Sequence, residues 1–84
     1  MMETGMLWFD NDPKSTLQGK IALAAKYYAG KYGRIPDTCY VNPSGLPDGL
    51  MQVGPIRVRA WRSVMPSHLW IGVDDPPAKG GAHG

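Results

Sequence analysis

"IRVRAWRSVMPSHLWIGVDD", residues 56–75, holds two short alternating segments separated by a loop, and its reading decides the fold. In the first segment Ile56, Val58 and Ala60 alternate with Arg57, Arg59 and Trp61. In the second, Leu69, Ile71 and Val73 alternate with Trp70, Gly72 and Asp74. Side chains of a strand point alternately to its two faces, so each segment reads as a strand with one apolar side. Folding the two as a β-hairpin, with Ala60 beside Ile71 and Val58 beside Val73, sends both apolar sides to the core. The same register sets Trp61 opposite Trp70, Arg59 opposite Gly72 and Arg57 opposite Asp74. A slip of one residue destroys all of these matches together.

The outer face of this hairpin then carries Arg57, Arg59, Trp61 and Trp70. Two roles compete for it. A cross-strand tryptophan pair with arginines stacked on the rings makes a structural cover. The same residue types dominate protein-binding hot spots, and they also suit stacking on bases beside phosphates.

Upstream, "MLWFD" (residues 6–10) is a short apolar run that suits a buried strand. After the turn-forming "NDPKS", Ser15-Thr16-Leu17-Gln18 fits a capping box with Ser15 as the cap. The helix is expected from about Thr16 to Tyr32, with Gly33 as a left-handed terminating residue and Pro36 preventing continuation. Leu17, Ile21, Ala24, Ala25, Tyr28 and Tyr32 share one helical face, which belongs on a sheet. Leu23 and Tyr27 form a second, smaller stripe, expected as surface or as a homodimer contact. "DTCYVNP" (residues 37–43) reads as the next strand, stopped by Pro43 and the turn-rich "PSGLPDG". A strand, a helix and a strand in succession make a βαβ unit. "LMQV" (residues 50–53) reads as a short extended piece before the Gly54-Pro55 break.

The expected fold is α/β of the α+β kind: a single-layer, four-stranded mixed sheet with one helix packed on it, in the order β-α-β-β-β. One domain is expected over residues 6–75, with 76–84 as a disordered Pro/Gly-rich tail. The strand order is left open by the sequence.

A chain of 84 residues has room for one modest core. Its formal charge of +2 permits an anionic partner without demanding one. Cys39 is the single cysteine, which excludes an internal disulfide and a multi-cysteine zinc site. No stretch approaches the roughly 18–20 apolar residues of a membrane span, and no charged start leads into an apolar run. A soluble, cytoplasmic protein is therefore expected, with no membrane partner.

For chemistry the sequence offers one acidic constellation. Asp10 and Asp12 follow one strand, and Asp74 and Asp75 follow another. Asp-x-Asp and Asp-Asp at such places resemble the magnesium-binding acidic motifs of haloacid-dehalogenase-like phosphotransferases. The resemblance implies a divalent cation held against a phosphate. It covers about a dozen residues, and the chain is far shorter than that family's and lacks its Ser or Thr after a middle strand and its positioned Lys. Asp and Asn are ordinary turn formers in any case. Cys39 and His68 are the only other reactive pair, and Cys39 reads as a small buried hydrophobe.

No catalytic residue, metal ligand or cofactor is therefore assigned. The expected function is a small non-enzymatic interaction module that binds another protein through Arg57, Arg59, Trp61 and Trp70. Nucleic-acid binding by the same face is one alternative, and a magnesium-dependent phosphate enzyme using Asp10, Asp12, Asp74 and Asp75 is another. A homodimer through Leu23 and Tyr27 is the further partner expectation.

Overall fold

The computed structural model describes residues 4–46 and 49–74. The chain runs β1 (Thr4–Phe9), α1 (Leu17–Tyr32), β2 (Thr38–Val41), a 3-10 turn at Pro43–Gly45, β3 (Leu50–Val53), β4 (Ile56–Ala60) and β5 (His68–Val73). One helix packs on a mixed sheet, as the α+β reading requires. The sheet has five strands rather than four, in the order β1-β5-β2-β4-β3. The expected tail at 76–84 lies outside the described residues.

The hairpin expected over residues 56–75 does not form. β2 lies between its two strands, pairing parallel with β4 and antiparallel with β5. β5 also pairs antiparallel with β1. Ile71 therefore faces Cys39 and Met6, and Val58 faces Cys39 and Met51. The hairpin that does form joins β3 and β4 through Gly54 and Pro55, with Val53 opposite Ile56. Gly54 sits at φ 58, and proline fixes the next φ near −65°, the sign sequence of a type II′ turn. What reads as a break is thus the tightest connection in the sheet. β1 and β2 are both antiparallel to β5 and hence parallel to each other, so the βαβ unit exists in split form with β5 between its strands.

Parity explains why each strand takes its place. Met6, Ile71, Cys39, Val58 and Met51 form one row across the sheet. Trp8, Leu69, Val41 and Ala60 form the next. Both rows face α1, whose Ile21, Ala24 and Tyr28 complete the buried cluster. The four residues of β2 are the most enclosed, with Thr38, Cys39 and Val41 all buried.

The helix begins one residue later than a Ser15 cap would place it. Thr16 is the cap, in extended backbone, and its Oγ1 accepts from the N–H of Gly19 at 3.0 Å. Ser15 instead donates its hydroxyl to Asp12 Oδ2 at 3.1 Å, inside the preceding turn. Asp12 competes for the serine, and the threonine is left to cap. Gly33 ends the helix at φ 73, its N–H donating to the carbonyl of Ala29, as expected. Tyr27 packs its ring against Trp8 of β1, with centroids 5.0 Å apart. Tyr27 thus has an intramolecular contact on β1, while Tyr27 and Leu23 both remain largely exposed on the helix surface.

Two side chains pin the ends of β2. Asp37 Oδ1 accepts from Thr38 Oγ1 and from the N–H of Asp74, each at 2.8 Å. At the other end Asn42 donates from Nδ2 to the carbonyl of Val64 at 2.8 Å, while its Oδ1 accepts from the N–H and hydroxyl of Ser44. The connection from β4 to β5, residues 61–67, crosses the end of β2 and is held there by Asn42 and by the bond from Trp61 N–H to Val41 O.

A candidate interface on the open face of the sheet

Only one face of the sheet is covered by the helix. On the other, register aligns Leu7, Trp70, Tyr40, Arg59 and Leu50 in a row across all five strands. Beside it runs the row Gly5, Gly72, Thr38, Arg57 and Gln52. Single-layer sheets normally bury one face and solvate the other with polar groups. This outer face is instead rich in apolar area: Leu7 is 60% exposed, Phe9 57%, Leu50 69% and Met65, in the 61–67 loop, 65%. The "MLWF" run is therefore not a strand buried on both sides. Its Met6 and Trp8 face the helix, and its Leu7 and Phe9 face outward on an edge strand.

Arg57, Arg59 and Trp70 share this outer face, and Trp61 leaves the end of β4 onto it. The two tryptophans are not a cross-strand pair. Tyr40 of β2 stands between them, directly opposite Trp70, with its ring edge-on to Trp61 at 4.8 Å. Arg59 lies opposite Tyr40 rather than Gly72, and Arg57 lies opposite Thr38 rather than Asp74. The arginines are exposed, and neither guanidinium makes a hydrogen bond or ion pair among the described residues. The strands contribute no carboxylate to this face among the described residues.

A groove of about 300 Å³ opens on the same face, lined by Leu7, Trp61, Val64, Met65, His68 and Trp70, with Ser63 at its rim. Its floor depends on a glycine: a Cβ at Gly5 would lie 2.7 Å from Cε2 and Cζ2 of Trp70. The indole lies down on the backbone of β1 because nothing projects there. Sequence alternation identified Arg57, Arg59, Trp61 and Trp70 as sharing a face. Tyr40, Leu7 and Met65 it missed, and Tyr40's alternation with buried Cys39 and Val41 was the signal that could have found the first of them.

The acidic constellation is not assembled. Asp10 follows the last residue of β1, its N–H bonded to the carbonyl of Ser67, while Asp74 follows the last residue of β5. Since β1 and β5 are antiparallel, these two lie at opposite ends of the sheet, about 20 Å apart at a strand rise of ~3.3 Å per residue. Asp10 and Asp12 accept backbone N–H groups of the 10–15 turn, and Asp75 lies outside the described residues. No group of three or more His, Cys, Asp or Glu side chains converges among the described residues. Cys39 is fully buried beneath the helix, where burial pushes its thiol up to about 12.

A second cleft, also about 300 Å³, lies at the helix N-terminal end among Asp10, Lys20, Asn42, Ser44 and His68. Lys20 donates from Nζ to the Asp10 carbonyl at 3.2 Å, and His68 Nδ1 lies 2.9 Å from the Pro66 carbonyl. Those polar groups are engaged with the protein itself. The open face, with two cations unengaged among the described residues and a preformed apolar groove, is the better candidate. No protein-family model, curated protein or solved structure matches the chain. Among the described residues, fold and site define a one-helix, five-stranded α+β arrangement with an open aromatic sheet face. No helix among the described residues is long and apolar enough to cross a membrane.

Proposed function

We propose that the protein is a non-enzymatic interaction module that captures another protein on the open face of its sheet. The observation that carries this reading is the row Leu7–Trp70–Tyr40–Arg59–Leu50, which leaves apolar and aromatic area uncovered on the side the helix does not reach. A contiguous apolar patch rimmed by polar residues marks interaction sites, and tryptophan, tyrosine and arginine are the residues that most often carry binding energy. Leu7→Glu and Arg59→Glu, both at exposed positions, should leave the fold intact and abolish co-purification of the partner. Ala22→Glu, on the solvent side of the helix, should not. Equal capture by all three variants would remove the open face from consideration.

A second reading has one observation in its favour: three aromatic rings beside two arginines are also a platform for single-stranded nucleic acid. Against it, Lys20, Lys26 and Lys31 belong to α1, on the other side of the sheet. The cations are not gathered into the stripe that polyanion binders show. A steep fall of affinity with salt would reverse this preference.

A further inference from the structure

We infer that the open face takes an extended, polyproline-II-type segment of a partner protein, with an apolar side chain at one position and a carboxylate three residues further on. The inference rests on the interaction-module reading and deepens it. The groove between Leu7, Trp61, Met65 and Trp70 takes the apolar side chain. From Trp70 the next strands of the row are β2 with Tyr40 and β4 with Arg59. Two inter-strand steps of ~4.8 Å put Arg59 about 10 Å from the groove. A polyproline-II segment rises ~3.1 Å per residue with three residues per turn, so positions i and i+3 share one face about 9 Å apart. The two repeats match.

The charge is complementary in one direction only. Arg57 and Arg59 are exposed, without a partner among the described residues, on a face whose strands contribute no carboxylate. The strands of a second copy docked face to face would bring no carboxylate to these arginines. An acidic side chain satisfies them, and Tyr40 between groove and arginine offers the flat aromatic ridge on which proline-rich segments lie.

The experiment uses the full chain and a set of capped eight-residue proline-rich peptides. Each carries Leu, Ile, Val, Met, Phe, Tyr or Trp at one position and Glu, Gln or Lys three residues on. Binding is read by amide-resolved NMR titration and fluorescence anisotropy. At least one Glu peptide should shift amides of Leu7, Tyr40, Arg59 and Trp70, and its Gln counterpart should bind roughly threefold to fivefold more weakly. Arg59→Gln should erase the Glu-over-Gln preference without lowering affinity for the Gln peptide, and Leu7→Gln should weaken both. Glu and Gln peptides binding the open face equally would sink the charge match while leaving the interaction module standing. Three results overturn the inference outright: no peptide binding; oligo-dT or oligo-rU shifting the open-face amides where peptides do not; or dimer formation in sedimentation with those amides buried. Peptide binding that appears only after removal of residues 75–84 would make the chain's own terminus the occupant, and overturn it as well.

Discussion

A Cβ placed on Gly5 comes within 2.7 Å of two ring carbons of Trp70, so the missing side chain decides where the indole lies. Gly5→Ala is expected to lift the ring and cost about 1–3 kcal/mol, the usual penalty for overpacking. A changed tryptophan emission maximum together with a lowered denaturation midpoint would show it. The helix start gives a sharper contrast between neighbours. Thr16→Ala should cost about 0.5–2 kcal/mol, whereas Ser15→Ala, which loses only a bond inside an exposed turn, should stay within about 0.5 kcal/mol. Equal losses would contradict the cap geometry. Cys39 supplies a pH dependence. Its thiol is held protonated to about 12 by burial, against an ordinary 9.0. Between those values the unfolded chain loses a proton that the folded chain keeps. Stability from this group is therefore fully present below about pH 9 and declines as pH rises toward 12, with a slope of up to about 1.4 kcal/mol per pH unit. Urea midpoints measured from pH 8 to 11 should fall more steeply for the native protein than for Cys39→Ala.

At the scale of elements, the pins at either end of β2 matter most. Asn42→Ala removes the donor to Val64 and the acceptor for Ser44 in one step. It should destabilise by about 1–3 kcal/mol and speed hydrogen exchange across 61–67 before it affects β1. Uniform acceleration would mean that the loop is not a separate unit. The elements themselves were largely legible. Helical spacing from Leu17 to Tyr28, the Gly33 stop and the alternation in β4 and β5 all read correctly, since each is a local steric or periodic signal. Neighbourhood was not. Alternation tells which face Val58 and Ile71 share, and it is equally satisfied whether they touch directly or both touch Cys39. The Gly54-Pro55 pair suits a two-residue turn as well as a break, and only the pairing of Val53 with Ile56 distinguishes them. The site inherits both outcomes: Arg57, Arg59, Trp61 and Trp70 share a face because parity puts them there, and Tyr40 between them is a fact of strand order.

For the molecule as a whole, the two layers are unequal: a single sixteen-residue helix covers one side of five strands. The central strand β2 is flanked by β4 on one side and by β5, the last strand among the described residues, on the other. β5 is also all that joins β1 to the rest of the sheet. Among the described strands, β1 thus has no pairing partner until β5 has been made. On a ribosome the sheet cannot close while residues 68–73 are still inside the exit tunnel. Until then the apolar side of β1 depends on its own helix, through Trp8 and Tyr27, or on a chaperone. Such non-local closure is intrinsically slow. It also makes the 61–67 crossing a natural place to divide the protein: residues 1–61 should remain unfolded alone and fold when a peptide spanning 62–74 supplies the missing strand.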